Sequence, residues 1–294
     1  MTIGEKIKKF RNEKAMTQSE LAGGFITRNM LSLIESDAAQ PSLPTILYLA
    51  ERLNVPVGVI VEDEKYEAFY RRASVINNIR KAYSDGNYRI CVELCDKTDA
   101  DAEDNELNLI RAESYLGIAK EDFSEGNLKS SCNSFDMACE YATKTYYNTC
   151  HVLAEANCYC NYMRDISPSL FADCAEAEVY REMAFSDEFC RYTDIIEKID
   201  AGTVTELSEI KFRDSVYSSL AQAKLTLKRG DYGEAYELMM AILNLDASVP
   251  SPIIYDIFKD LEVCCREKGD FKGAYEYSGS KVVMLERLLS DERF

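Results

Sequence analysis

The chain has 294 residues, 47% of them hydrophobic and 29% charged, a globular composition with room for two unequal domains on separate cores. A formal net charge of −17 opposes non-specific attraction to phosphate backbones, and the longest apolar runs are too short to cross a bilayer. The imbalance is local: residues 1–62 carry seven basic and seven acidic side chains, whereas residues 63–294 carry 27 and 44, so any nucleic-acid contact is expected from the N-terminal segment.

That segment opens with "MTIGEKIKKFRNEK", a charged amphipathic helix lacking the apolar stretch and cleavage site of a secretion signal, so a cytoplasmic location is expected. Ile3, Ile7 and Phe10 share the inner face of this first helix, and Lys6, Lys8, Lys9, Arg11 and Lys14 are expected on a solvated one. Thr17-Gln18-Ser19-Glu20 has the capping-box pattern for a second helix, which Gly23-Gly24 ends. Thr27 caps a third, on which Leu31 and Ile34 point inward while Arg28, Asn29, Ser32 and Leu33 remain outside. Beyond the Pro41-Ser42 turn, Ile46, Leu49, Ala50 and Leu53 line a fourth helix, and Pro56 opens a short fifth with Val59 and Ile60. The acidic stretch Glu62-Asp63-Glu64-Lys65 closes this region, with a linker helix over 63–72.

From residue 73 onward one turn recurs: "GNYRIC" at Gly86, "GNLKSS" at Gly126, "GDYGEA" at Gly230 and "GDFKGA" at Gly269. In each, Gly ends a helix with positive φ, Asn or Asp starts the next, and a small residue five positions after the Gly lets the paired helices touch. The gap between Gly126 and Gly230 leaves room for two or three further units, and Pro168, Gly202 and Pro250-Ser251-Pro252 mark other connections. Helix pairs at this period imply a solenoid over 73–294, making the whole chain all-α. All eleven cysteines fall between Cys91 and Cys265 and read as reduced, small apolar core residues; with no paired CxxC and a single His, a metal site from His151, Cys158 and Cys160 is disfavoured. No cofactor is implied.

Five helices in this order, with "TQSELA" opening the second, "TRNMLSLIE" the third, then "PSL" and "LAERLNV", resemble the Cro and λ-repressor (XRE) type of helix-turn-helix domain over residues 3–61. The resemblance makes the third helix the one that enters the DNA major groove. Arg28 and Asn29 would then reach base edges, Arg pairing with guanine and Asn with adenine, while Ser32 contributes more weakly and Leu33 touches a thymine methyl. Thr27 lies at the start of that helix, and Gln18 matches the family position that binds a backbone phosphate. Two departures stand out: "GGFI" makes the link between helices two and three about a residue short, and "ESDAAQP" after the third carries Asp37 and no basic residue.

The repeats resemble tetratricopeptide repeats, loosely, since Trp is absent and the spacing exceeds 34 residues. The combined layout is similar to the Rgg and PlcR class of bacterial regulators. That resemblance implies a transcriptional regulator of a double-stranded DNA operator, a homodimer built by the repeats, and a signalling peptide or protein partner on their concave face. From the residues themselves, Asn157 and Asn161, four apart on one helix face, suit an extended peptide backbone, and Arg111 with Tyr115 is a second such pair. There is no phosphate loop, GxSxG or HExxH, and His151 has no recognisable catalytic partner, so an enzyme is not expected. The competing reading is an interaction scaffold whose helix-turn-helix contacts protein, or nothing; Asp37 and the neutral charge of residues 1–62 favour it.

Overall fold

The computed structural model describes residues 1–61, 67–98, 104–172, 174, 186–207, 212–244 and 249–290, with side chains of 67–74 excepted. Among these residues there are fifteen α-helices and no strand, and no helix is long and apolar enough to cross a membrane. The chain divides into two compact units, Met1–Asn77 with Thr98–Ala100, and Asn78–Lys97 with Asp101–Phe294. The expected acidic stretch 62–65 lies outside the described residues, as does the expected linker helix up to residue 66; from there Glu67–Ser84 forms α6.

The first unit contains α1 (Ile3–Glu13), α2 (Gln18–Ala22), α3 (Arg28–Glu35), α4 (Leu43–Leu53) and α5 (Val57–Val61). Thr2 and Thr17 each make a full capping box, with Glu5 and Glu20 returning the bond, which satisfies backbone donors that have no partner within the helix. Ile7, Leu21, Leu31, Ile34, Leu49, Leu53 and Ile60 meet in one core, with Ile3 and Phe10 packed at its edge. Gly4 permits the close approach of α1 to α3: a Cβ there would lie 2.0 Å from the Ile34 carbonyl oxygen.

In the second unit the helices follow as α7 (Tyr88–Asp96), α8 (Asn105–Glu125), α9 (Leu128–Thr143), α10 (Cys150–Ile166), α11 (Glu188–Asp200), α12 (Ser215–Lys228), α13 (Tyr232–Leu243), α14 (Ser251–Glu267) and α15 (Phe271–Leu289). The four recurrent glycines all have positive φ, between 72° and 93°. Asp231 and Asp270 cap the following helices through their carboxylates, whereas Asn87 and Asn127 make no side-chain cap. Five residues after the glycine, Cys91, Ser131 and Ala235 are fully buried. Cys91 Sγ donates to Ile79 O at 3.7 Å and Ser131 Oγ to Ala119 O at 2.8 Å, so two of these small residues also bond the backbone of the preceding helix. Between the Gly126 and Gly230 turns the described residues hold four helices, α9 to α12, and residues 173, 175–185 and 208–211 of that stretch lie outside the described residues.

Candidate nucleic-acid interface and ligand cavity

The third helix sits in the first unit by its own inward face. Thr27 accepts the Met30 N–H at 3.1 Å, setting the start of α3, and Leu31 and Ile34 are buried. Arg28, Asn29, Ser32 and Leu33 are all exposed, as is Met30, so the side chains expected to face outward form one solvent-facing strip.

A carboxylate then locks this helix to its neighbours. Glu35, 5% exposed, accepts from Arg11 Nε at 2.6 Å and Nη2 at 3.0 Å, and from Gln18 Nε2 at 2.9 Å. Arg11 also donates to Met16 O at 2.8 Å. Burial pushes the Glu35 pKa up, but the bonds from Arg11 and Gln18 outweigh it and hold the carboxyl below its ordinary value. Two expectations change here. Arg11 is not on a solvated face: it is the counter-ion of α3. Gln18, expected to be available for a phosphate, spends one amide N–H on Glu35. The clue in the sequence was Glu35 itself, one residue past Ile34 on the buried side of α3, because a buried carboxylate requires a cationic partner.

The turn after α3 also differs from a free negative charge. Asp37 has a φ of 57° and accepts the Thr2 hydroxyl at 2.5 Å, which ties its carboxylate to the start of α1. At the short link between α2 and α3, Tyr48 OH donates to Ala22 O at 3.2 Å and Arg52 Nη2 to Glu20 O at 2.7 Å, so α4 supplies partners for the carbonyls at the end of α2.

In the second unit a cavity of about 550 Å³ opens between α10, α11, α12 and α14. Asn157 and Asn161 line it, with six carboxylates, Asp165, Asp194, Glu197, Asp200, Asp256 and Asp260, against two lysines, Lys224 and Lys259. Lys224 Nζ lies 2.8 Å and 3.0 Å from the two Asp260 oxygens; burial disfavours its charge, yet Asp260 holds its pKa above the usual value. Asp256 accepts the Tyr162 hydroxyl, and burial raises its pKa in spite of that bond and Lys224. The Asn161 carbonyl accepts from Arg164, which fixes the orientation of the amide. The second candidate pair is placed elsewhere: Arg111 is buried, donates to Cys95 O at 2.8 Å and lies 5.3 Å over the Tyr141 ring. Tyr115 stacks on the same ring at 5.7 Å. Neither lines the cavity, because each is consumed in packing within the chain. His151, Cys158 and Cys160 likewise form no ligand cluster among the described residues; His151 Nε2 faces Glu113 Oε1 at 3.5 Å.

Residues 7–60 match the helix-turn-helix family HTH_3. The immunity repressor protein of Bacillus phage phi105 is 40% identical over 65 residues, 22% of this chain and 45% of the repressor; the chain thus spans less than half of that relative. Over nearly the full length, Bacillus thuringiensis PlcR, solved with the peptide PapR7 and DNA, aligns at 16% identity and a TM-score of 0.26, covering 97% of this chain and 96% of PlcR. ComR from S. thermophilus, solved with DNA and its signalling peptide ComS, aligns at 14% identity and a TM-score of 0.24, covering 96% and 99%. The segment that matches HTH_3, residues 7–60, is the one in which α3 is presented on a core that α1, α2, α4 and α5 complete.

Proposed function

We propose that the chain is a sequence-specific DNA-binding transcription regulator that reads one half-site with α3. The observation that carries this is the exposed strip of Arg28, Asn29, Ser32 and Leu33 on a helix anchored by Glu35 within a helix-turn-helix domain. The match to a phage immunity repressor over the same region supports it. Arg28 and Asn29 are the base-reading side chains, Thr27 and the α2 start with Gln18 approach phosphate, and one amide hydrogen of Gln18 stays on Glu35 while the other is used there. A single domain reads a single half-site, so the working form is a homodimer. The functional division is 1–62 for DNA, 63–72 as linker and 73–294 as sensor and dimer region. Recovery of genomic fragments bound by the wild type and by an Arg28→Ala, Asn29→Ala double variant tests the reading; equal binding to every fragment refutes it.

The cavity beside Asn157 and Asn161 is the proposed place for a peptide or other small ligand that controls DNA binding. The two amides suit a peptide backbone, and the excess of carboxylates around them favours a neutral or cationic ligand. Control requires the ligand to bind one arrangement of the protein more tightly; a coupling of about 1–3 kcal/mol changes operator affinity roughly 5–150-fold. An alternative, a protein-binding scaffold, is favoured by the exposed Phe25, Leu43 and Leu47 of the first unit. Loss of a protein partner on Leu43→Ser and Leu47→Ser, with no selected DNA sequence, identifies that case.

A further inference from the structure

Three potential metal ligands outside the cavity come together in the second unit: Cys132 and Asp136, one turn apart on α9, and Cys174, beyond α10. Their ligand atoms all lie within 4.8 Å of one another. The Cys132 thiol donates to Cys174 Sγ at 3.0 Å, and a third sulfur, the buried Cys160, is near enough to Cys174 to disfavour its thiolate. Cys174 is held by its N–H on Phe171 O at 3.2 Å, and Phe171 is buried. The geometry points to a binding site for a divalent ion of the zinc type, ligated by Cys132, Asp136 and Cys174.

Distances first allow two outcomes for this sulfur pair. Thiolates about 2.3 Å from a tetrahedral zinc ion stand about 3.8 Å apart, so the sulfurs would separate by under ~1 Å. A disulfide at about 2.05 Å would require them to approach by a similar amount. Asp136 decides between them, because a carboxylate contributes a bond to a cation and nothing to a neutral disulfide. Charge agrees. Two thiolates and one carboxylate around a dication leave a single negative charge, and the guanidinium of Arg164, whose Nη2 bonds Cys174 O at 2.7 Å, faces this cluster closely enough to act on Cys132. Asp136 is exposed and Cys132 half-buried, which provides an entry path to the buried Cys174.

Burial of Cys174 and half-burial of Cys132 favour the neutral thiols. A bound dication reverses this. Two S–H bonds break, two metal–sulfur bonds form, and two protons pass to solvent with no change in oxidation state, so affinity falls as pH falls. The eleven cysteines read in sequence as core filler, since the ligands come from separated positions without a CxxC pair.

Titration of the fully reduced full chain with Co²⁺, followed by optical absorption, tests the site. One equivalent is expected to produce a sulfur-to-cobalt charge-transfer band and tetrahedral ligand-field bands, and Zn²⁺ to displace it. Cys132→Ser is expected to abolish the band, and Cys139→Ser, on the same helix but outside the cluster, to retain it. Asp136→Asn alters an exposed residue and is expected to weaken Co²⁺ binding by at least about 10-fold, the lower range seen when a group merely bonded to a metal ligand is removed. Absence of the charge-transfer band in the reduced wild type, its survival in Cys132→Ser, or unchanged affinity in Asp136→Asn each overturns the proposal. So does a Cys132–Cys174 disulfide, found by mass spectrometry, in protein that takes up no metal after reduction.

Discussion

Each unit of the molecule buries charge, but for different ends. In the helix-turn-helix unit the buried carboxylate Glu35 belongs to the helix that faces outward, and Arg11 and Gln18 hold it from α1 and α2. In the repeat unit the ion pairs bridge helices that are not consecutive in the chain: Lys120 on α8 reaches Glu155 on α10 at 2.6 Å and Asp187, the N-cap of α11, at 2.8 Å, while Lys224 on α12 reaches Asp260 on α14. The first arrangement aims one helix. The second ties a stack together and leaves the surplus carboxylates around a cavity. The difference teaches that an ion pair is best read by what its two helices must do, since its energy alone is ambiguous when desolvation nearly offsets attraction.

The largest effect expected from breaking this contrast is in the first unit. Glu35→Ala leaves the half-buried Arg11 without its counter-ion, with an expected loss of about 3–5 kcal/mol. Hydrogen exchange at the α3 amides, together with operator binding, should show both the helix loosening and the readout failing. Lys120→Met isolates two carboxylates in the second unit and is expected to cost about 3 kcal/mol, lowering its thermal midpoint while α3 exchange stays as in the wild type.

Changing pH sharpens the comparison further. Burial opposes the Lys120 charge, but Asp187 and Glu155 hold its pKa above 10.5. Its stabilisation is therefore complete below the unfolded value of about 10.4 and lost as pH rises through the higher folded one. Arg11, whose bond to Glu35 holds its pKa above the ordinary guanidinium value against burial, keeps its charge over that range. In acid both units weaken: burial opposes the charged forms of Glu35 and Asp187, yet their partners lower both pKa values. Their contributions are present above the unfolded values, about 4, and disappear as pH falls through the lower folded ones. Unit-resolved exchange should thus find the repeats failing first on the alkaline side only.

Smaller effects separate readout from support. Arg28→Ala is expected to cost roughly 1–3 kcal/mol of discrimination at one base pair per half-site with little change in folding, measured by binding to a set of single-base operator variants. Thr27→Ala removes the cap on Met30 N–H and is expected to cost about 1 kcal/mol of α3 stability, detectable by the same exchange measurement and with no change in base preference.

The five N-terminal helices, the Thr17 and Thr27 caps and the outward set Arg28, Asn29, Ser32 and Leu33 were legible in the sequence, because period, capping residues and turn glycines act locally, whereas the Thr2 and Ser42 caps were not read from it. The four positive-φ glycines of the repeats were legible for the same reason. Asn157 and Asn161 could be paired by their four-residue spacing, but only tertiary structure set them in a cavity with carboxylates from α11 and α14. It also withdrew Arg111 and Tyr115 into packing around Tyr141, paired Arg11 with Glu35 across 24 residues, and brought Cys174 to Cys132 across 42. The physical reason is range: helix periodicity is set by neighbours within a turn or two, whereas the partner of a buried charge or thiol is chosen by which distant helix packs against it.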